Sequence, residues 1–428
     1  MSESFIYFLW QFQYFDHKQL CTTDGEPIQV LYPGFRNNHA GPDFTDARLL
    51  INEVEWVGTV EIHVKASDWF LHRHQQDAAY DTVILHLVWD ADKTVQRTDG
   101  TVIPTLSLRD RTDPQLIFRY EALHTSGDLI PCSAHWPRLN TLTIISMLDQ
   151  ALLRRLERKA ADVLAIVVHT KLDWEETTYQ LLAVNLGFKI NAGPMHQLSR
   201  AVPLKILQKH RNAPLQVEAM LFGVAGLLDD IAESDEYLDS LRREYRFLAV
   251  KYQLADKKLP THIWKWARLR PAGFPTLRIA QLAQLVVQTP SLFSLLTSTD
   301  DISLLLSALQ VKPSVYWQTH YRFGKKTEKG APTLGGASAV NILINSASPL
   351  LAAYAQHKQA SAYIDRAIAL LEELPAEQNT ILEIWQQIGY DARNALDSQA
   401  LIELYNQYCI PKNCLRCRIG ARLVGQKS

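Results

Sequence analysis

The sequence has few of the features that hold secreted proteins together or anchor proteins in membranes. Only 5 of its 428 residues are cysteines, far below the density of a disulfide-stabilised scaffold. It contains no apolar run that reaches the roughly 18 residues needed to span a bilayer. The aromatic stretch 5–15 lacks the basic region and cleavage site of a signal peptide. We therefore expect a cytoplasmic protein without a membrane partner.

Several motifs of well-known enzyme classes are also missing. There is no G-x-S-x-G elbow, no dinucleotide-binding glycine fingerprint and no Walker loop. The net charge of −1 is far from that of a dedicated nucleic-acid binder. Residues 1–130 carry 19 Asp and Glu against 10 Lys and Arg, so the remainder is net positive. The acidic part suits metal binding and the basic part suits a polyanion, although solvated helix faces would give the same pattern.

The pattern of apolar residues predicts two regions of different fold class. Residues 1–125 are predicted to form a helix, three strands, a second helix over 68–80 and two further strands. Residues 126–140 are a predicted connector, and residues 141–428 are a predicted helical domain that ends in a Cys-rich motif. The predicted fold class is α+β, an α/β core followed by a large all-α region.

The strongest functional signal is GPDFTDARLLINEVEWVGTVEIHVKASDW, residues 41–69. Alternation along the predicted strand 55–65 gives a buried face with Trp56, Gly58, Val60, Ile62 and Val64, and a polar face with Thr59, Glu61, His63 and Lys65. A hairpin would bring Asp43 near Glu61. Two converging carboxylates suit Mg²⁺ or Mn²⁺, with which His63 or Lys65 would position or deprotonate a water.

These residues resemble the motif of the PD-(D/E)xK nuclease superfamily. Pro42-Asp43 and Glu61 match it, whereas His63 stands where the motif has Lys and Lys65 lies two positions further along. The resemblance implies a restriction-endonuclease-like core in residues 1–125 and metal-dependent hydrolysis of DNA or RNA. Two alternatives stay open: a non-catalytic nucleic-acid-binding or scaffold protein with a degenerate nuclease fold, and a different His/Asp metal-dependent hydrolase.

The predicted helix 68–80 carries further candidates. Asp68 and His72 share one face of it, at the edge of the proposed site, where they would bond a phosphate or a metal-bound water. A capping Asp and an exposed His are the alternative. His74 falls on nearly the opposite face, so one ion could not take both histidines. His86, in the apolar strand 82–89, is predicted to be a core histidine rather than a ligand.

The C-terminal cysteines have the spacing of a metal site. Cys409, Cys414 and Cys417 form C-x₄-C-x₂-C, and the x₂ pair is a common ligand spacing. Cys132 is our preferred fourth ligand, with Cys21 or a His as alternatives. Zn²⁺ and an iron–sulfur cluster both suit such thiolates. The arrangement is similar to the iron–sulfur sites of some nucleases of the superfamily, with different spacing. Buried or simply reduced thiols are the other interpretation.

Two irregular segments of the helical region mix basic and aromatic residues. The basic residues are Lys265, Arg268, Arg270 and Arg278 in the first segment and Arg322, Lys325 and Lys326 in the second. Such interleaving suits a nucleic acid, whose backbone binds cations and whose bases stack on rings. Arginines that bond carbonyl groups around Pro-rich turns would give the same pattern.

Nearly the whole chain also resembles a family of uncharacterised bacterial proteins, the domain of unknown function 2851 family. The segments that carry this resemblance are TTDGEPIQV, NNHAGPDFTDARL, GTVEIHVKASDWFLHRHQQDAAYDTVILHLVW, RLRPAGFPTLRIAQLA and YCIPKNCLRCRIG. The resemblance implies no activity, and the sequence leaves the oligomeric state open.

Overall fold

A computed structural model of the protein describes residues 1–37, 39–229, 231, 234–327, 330 and 333–426. The chain divides into two compact units. We call residues 1–148 with 404–428 the N-terminal unit, and residues 149–403 the helical unit. This division differs from the predicted boundaries at 125 and 140, because the C-terminal segment with its Cys-rich motif belongs to the N-terminal unit.

The N-terminal unit has the predicted order of helix, strands, helix and strands, with three differences. A two-residue strand is added, the second helix is short, and a third helix follows the last strand. The elements are α1 (Glu3–Phe12), β1 (Ile28–Tyr32), β2 (Phe35–Arg36), β3 (Phe44–Ile51), β4 (Val54–Lys65), α2 (Asp68–Leu71), β5 (Val83–Asp90), β6 (Thr105–Ser107) and α3 (Pro114–Thr125). Asp113 caps α3, which the sequence analysis missed.

The strands form one mixed sheet in the order β1-β3-β4-β5-β6, with β2 on β3. β3 and β4 are an antiparallel hairpin, whereas β4, β5 and β6 run parallel. The hairpin turn is made by Asn52 and Glu53, both with positive φ (49° and 67°), as a two-residue turn of this hand requires. The apolar helix α1 packs on β4 and β5.

The two halves of β4 are covered differently, which corrects the predicted buried and polar faces. Trp56 was predicted to be buried, yet it is 43% exposed, because residues 54–58 pair with β3 alone and extend beyond β5. From Thr59 onward β4 pairs with β5, and β3 begins opposite Val60, so residues 61–65 pair with β5 alone. There Glu61 and His63, predicted on a polar face, are buried at 6% and 1% exposure.

The second part of the chain is mainly helical, as predicted. α4 (Thr141–His169) carries the chain from residue 141 across the boundary at 148. The further helices are α5 (Trp174–Leu186), α6 (Phe188–Ala201), α7 (Leu204–Lys209), α8 (Pro214–Val224), α9 (Glu236–Tyr252), α10 (Pro275–Gln288), α11 (Leu292–Ser298), α12 (Ile302–Leu309), α13 (Gly336–Ile342), α14 (Ser348–Lys358), α15 (Ala362–Glu373), α16 (Thr380–Gln387) and α17 (Ala395–Leu404). A small hairpin, β7 (His320–Arg322) and β8 (Lys325–Lys326), interrupts them, and α18 (Arg418–Gly425) ends the chain.

One helical stretch of the described chain, Gly336–Lys358, is long and apolar enough by composition to cross a membrane. A second candidate span exists only if the helices at 275–288 and 292–298 are counted as one span, although the chain bends by 80° between them. Within the first stretch, 67% of the apolar window is buried inside the protein. That burial is typical of a core helix.

We predict that Gly58→Ala destabilises the N-terminal unit. A Cβ atom at Gly58 would lie 2.5 Å from Ile84 Cγ2 and 2.7 Å from the Thr82 carbonyl oxygen, so β4 and β5 would have to separate. We expect a loss of about 1–3 kcal/mol in the free energy of unfolding, measured by urea denaturation. Gly127→Ala is the control, because a Cβ there meets nothing within 4 Å. Equal stability of the two variants would contradict the prediction.

Candidate metal centre

The β3–β4 hairpin places the two predicted carboxylates side by side. The backbone N–H of Asp43 donates to Glu61 Oε2 (3.1 Å), and the N–H of Ile62 donates to Asp43 Oδ2 (3.0 Å). The Tyr7 hydroxyl of α1 donates to Asp43 Oδ1 at 2.8 Å. Three of the four carboxylate oxygens therefore accept hydrogen bonds from the protein. The fourth, Glu61 Oε1, faces the histidines described next.

Three histidines converge beside Glu61. His63 Nε2 lies 3.1 Å from His72 Nδ1 and 3.7 Å from Glu61 Oε1, and His74 Nε2 lies 3.4 Å from the same oxygen. Within the described ranges, these histidines are the one group of at least three His, Cys, Asp or Glu whose ligand atoms all lie within 4.8 Å of one another. His63 and His74 are buried and His72 is exposed, so the group opens to solvent on the His72 side.

The prediction that His72 and His74 lie on opposite faces of one helix is wrong. The helix that begins at Asp68 ends at Leu71, with His72 as its C-cap. Arg73 then takes a left-handed conformation (φ 63°), and a separate 3₁₀ turn begins at His74. This reversal turns both imidazoles to the same side, toward His63.

The imidazoles have firm support from the surrounding core. His86 Nε2 lies 2.9 Å from His63 Nδ1, so this buried histidine belongs to the network although it was predicted only as a core residue. The Trp69 ring packs 5.2 Å from the His74 ring and 5.4 Å from the His86 ring. Tyr80 stacks on His74 with ring centroids 3.8 Å apart. The rings are therefore fixed by packing as well as by polar contacts.

Burial favours the uncharged forms of Asp43, Glu61, His63, His74 and His86, as the direction of each pKa shift indicates. Burial, followed by neighbouring imidazoles, lowers the pKa of His63 to about 2, of His74 to about 4 and of His86 to about 3. Burial, followed by the charge of Asp43, raises the pKa of Glu61 well above its ordinary value. Burial likewise raises the pKa of Asp43, against the hydrogen bonds it accepts.

Two other predicted residues lie at the edge of this cluster. Lys65 is exposed at the end of β4. Asp68 accepts a hydrogen bond from the Lys65 backbone N–H (3.0 Å). The Asp68 carboxylate thus holds the end of β4.

Three residues near the site were missed by the sequence analysis. Glu3 and Tyr7 are one helical turn apart on α1, and the pKa of Glu3 is raised by burial and then by Asp43. The Arg36 guanidinium lies over the Tyr7 ring at 4.7 Å. Two side chains with polar groups at i and i+4 in a largely apolar helix were the signal that could have identified Glu3 and Tyr7.

The structure brings the four predicted cysteine ligands into one region of the N-terminal unit. Cys132, Cys409 and Cys417 are buried, and Cys414 is half-buried. Each of these thiols lies within electrostatic range of the other three. Cys21 contacts Arg111 Nη2 at 3.9 Å instead.

The predicted basic residues of the helical unit fall into two groups. Arg278 is buried, with its guanidinium 4.7 Å from the Phe188 ring, and Arg322 lies between the rings of Trp266 and Phe274 at 4.5 and 4.7 Å. The side chain of Arg278 fills an internal position, which argues against its predicted contact with a nucleic acid. The exposed cations are Lys265, Arg268, Arg270, Lys325 and Lys326.

The donor set of the His cluster fits a transition metal ion. Imidazole nitrogens with one carboxylate oxygen are typical ligands of Zn²⁺, Mn²⁺ and similar ions. The buried His74 Nε2 faces Glu61 Oε1 at 3.4 Å without forming a hydrogen bond, whereas most buried polar atoms are hydrogen-bonded. Together these groups define a candidate metal centre of mixed imidazole and carboxylate donors on a mixed β-sheet.

The chain belongs to the family described as "Protein of unknown function (DUF2851)", which matches residues 3–380. The match includes four of the five segments that carried the resemblance, whereas YCIPKNCLRCRIG at 408–420 lies beyond it. No curated protein and no solved structure matches the chain.

We predict that Glu61 makes the metal-free protein less stable as the pH rises. The unfolded carboxyl titrates near 4.5, whereas the folded one has a raised pKa, so above pH 4.5 the folded state holds the extra proton. Stability therefore falls with rising pH, by at most about 1.4 kcal/mol per pH unit, until the folded pKa is reached. The Gln side chain of the Glu61→Gln variant cannot ionise, so the stability of this variant should lack the part of the pH dependence that comes from Glu61.

The measurement is urea denaturation of both proteins with a chelator present at a series of pH values. Glu55→Gln is the control, because Glu55 lies on the exposed half of the same strand and pairs with Arg48. Parallel pH profiles for wild type and Glu61→Gln would show that Glu61 is not held protonated.

Proposed function

We propose that this protein is a metal-dependent phosphodiesterase that acts on nucleic acid, with its metal ion held by His63, His72, His74 and Glu61. The observation that carries the proposal is the group of three imidazoles whose ligand atoms lie within 4.8 Å of one another, two of which approach Glu61 Oε1 at 3.7 and 3.4 Å. The donor set favours Zn²⁺ or Mn²⁺ over Mg²⁺, which prefers oxygen ligands. A bound ion would supply a polarised water and stabilise charge on the phosphate.

The remaining groups of the site have defined tasks in this proposal. Tyr7 and the Ile62 N–H hold the Asp43 carboxylate beside Glu61, where it would accept a proton from the attacking water. His86 holds His63 through its other ring nitrogen, as partners of metal-bound histidines commonly do. Trp69 and Tyr80 keep bulk water from the inner side, which strengthens every charge interaction there.

An anionic substrate is supported by Arg36, which lies near the Asp43 carboxylate, and by a second arginine near Arg36. Arg36 lies over Tyr7 and within electrostatic range of Asp43 and of the exposed Arg416. Guanidinium groups are well suited to bind phosphate oxygens. The exposed cations of the helical unit are consistent with a polyanion, although Arg278 and Arg322 are used internally.

The proposal also includes a more specific fold for the N-terminal unit than a mixed α/β core. We infer a nuclease-like core from the order of helices and strands in residues 1–125 and from the carboxylate pair on the β3–β4 hairpin. The observed site differs from the PD-(D/E)xK pattern in one respect that has a chemical meaning. His63 replaces the motif Lys, and with it the site gains imidazole donors in place of an ammonium group.

We predict that wild-type protein cleaves DNA or RNA in the presence of Mn²⁺ or Zn²⁺ and that His72→Ala is strongly impaired. His72 is exposed, so its loss removes a ligand with little effect on the core. The rate should fall more than about a hundredfold, since even outer-shell changes cost 10–100-fold. Cleavage of labelled single- and double-stranded substrates and metal affinity by calorimetry are the measurements. His124→Ala, on the exposed face of α3, is the control.

Two outcomes of this experiment would count against the proposal. Tight metal binding without cleavage of any nucleic acid would favour another metal-dependent hydrolase. No metal binding, with retained affinity for nucleic acid, would favour the non-catalytic binding protein. That alternative has its own support, because three carboxylate oxygens are already occupied by hydrogen bonds within the protein.

We predict that Arg36→Met raises the KM of cleavage more than it lowers kcat. The loss of one charge-assisted contact to phosphate is worth about 1.5 kcal/mol or more, which corresponds to about tenfold in KM. Steady-state kinetics on a short oligonucleotide would measure it. Arg48→Met is the control, since Arg48 is exposed and pairs with Glu55. An unchanged KM in Arg36→Met would remove Arg36 from the binding surface.

A further inference from the structure

Four cysteines that are far apart in the sequence meet in the N-terminal unit. Cys132 immediately precedes the 3₁₀ turn Ser133–Arg138. Cys409 ends a π-helical turn, Cys414 begins a 3₁₀ turn, and Cys417 is the N-cap of α18. All six pairs among the four thiols interact electrostatically. All four thiols are free in the structure, and thiolates are ligands of zinc and of iron–sulfur clusters.

Hydrogen bonds on both sides of Cys132 fasten the C-terminal segment in place. Lys412 Nζ donates to the Ser126 carbonyl oxygen at 2.9 Å. Arg422 Nη1 donates to Thr143 Oγ1 at 2.9 Å. Arg119 Nε donates to the Val424 carbonyl oxygen at 2.9 Å. The approach of the three late cysteines to Cys132 is thus part of the packing of this unit.

The local backbone around Cys417 favours a negatively charged sulfur. The N–H groups of Ile419 and Gly420 donate to the Cys417 sulfur, at the N-terminus of α18 where helix geometry favours an anion. Gly420 allows the turn to close, because a Cβ there would lie 2.2 Å from the Cys414 carbonyl oxygen. Lys412 adds a positive charge near Cys414.

The burial of these thiols is costly for thiolates without a cation. Cys132, Cys409 and Cys417 are buried, and an unpaired charge in a buried position is very costly. A bound metal ion removes this penalty, since thiolates are its ligands. The Cys set and the His cluster have no residue in common.

We propose that Cys132, Cys409, Cys414 and Cys417 form a tetrathiolate site for a thiophilic metal centre that fastens the C-terminal segment to the N-terminal unit. Thiolates suit both Zn²⁺ and an iron–sulfur cluster, but in the described chain no three of these sulfur atoms lie within 4.8 Å of one another, which favours the wider sulfur spacing of a cluster. The centre also fixes Arg416, which lies between two of the ligands and within electrostatic range of Arg36. This site would organise the binding surface without taking part in catalysis.

The test is metal analysis of the full-length protein purified without oxygen. We expect about one Zn²⁺ per chain at this site, or about four iron atoms with acid-labile sulfide and broad visible absorbance. Cys417→Ser and Cys132→Ser should each lose that metal. Cys21→Ser, which changes the remaining cysteine, should keep it.

A second measurement separates this centre from the proposed His site. Co²⁺ bound by thiolates gives sulfur-to-metal charge-transfer bands that imidazole and carboxylate ligands do not give. These bands should appear in wild type and in His72→Ala, and disappear in Cys417→Ser. If a Cys variant does not fold, release of the metal from wild type by a thiol-modifying mercurial reports the same ligation.

Several results would overturn the inference. Wild type that contains neither zinc nor iron, and that gives no charge-transfer band with Co²⁺ after reconstitution, has no tetrathiolate centre. Equal metal loss in Cys21→Ser and Cys417→Ser would show that the effect is not specific. A wild-type protein that shows the thiolate bands but cleaves no nucleic acid would instead count against the proposed function alone.

Discussion

The N-terminal unit depends on the burial of several ionisable side chains at one place on its sheet. Glu61, His63 and His86 have almost no access to water, where an unpaired charge is very costly. The imidazoles therefore favour the neutral form and Glu61 the protonated one. A cation at this point would reverse the preference of Glu61, since it compensates the carboxylate and is bound by neutral imidazoles.

The pairing of the strands fixes the relative positions of these buried side chains. β4 pairs antiparallel with β3 and parallel with β5, so Glu61 lies opposite His86 and next to the Asp43 end of the hairpin. Below the imidazoles lies a compact apolar cluster that includes Ala66, Trp69 and Val83. Sites held on strands and a packed core keep their geometry better than sites on free loops. After α2, the left-handed conformation of Arg73 turns His74 toward His63 and completes the group of three histidines.

The helical unit illustrates how the same residue pattern serves different purposes. Basic residues among aromatics were interpreted as a nucleic-acid surface, and several of them are exposed. Arg278 and Arg322 instead place their guanidinium groups over aromatic rings inside the unit. A buried cation–π contact has the composition of a stacking surface, because both use a planar cation and a ring. Sequence pattern alone does not separate the two.

The sequence by itself determined the division into a mixed α/β part and a helical part, the β3–β4 hairpin, and the approach of Asp43 to Glu61. These features follow from local periodicity and turn chemistry, which act over a few residues. Only the tertiary structure decided that His74 joins His63 and His72, that Glu3 and Tyr7 approach from α1, and that Cys132 meets the C-terminal cysteines. The first depended on a single change of hand at Arg73, and the others on contacts between segments far apart in the chain, which no local pattern encodes.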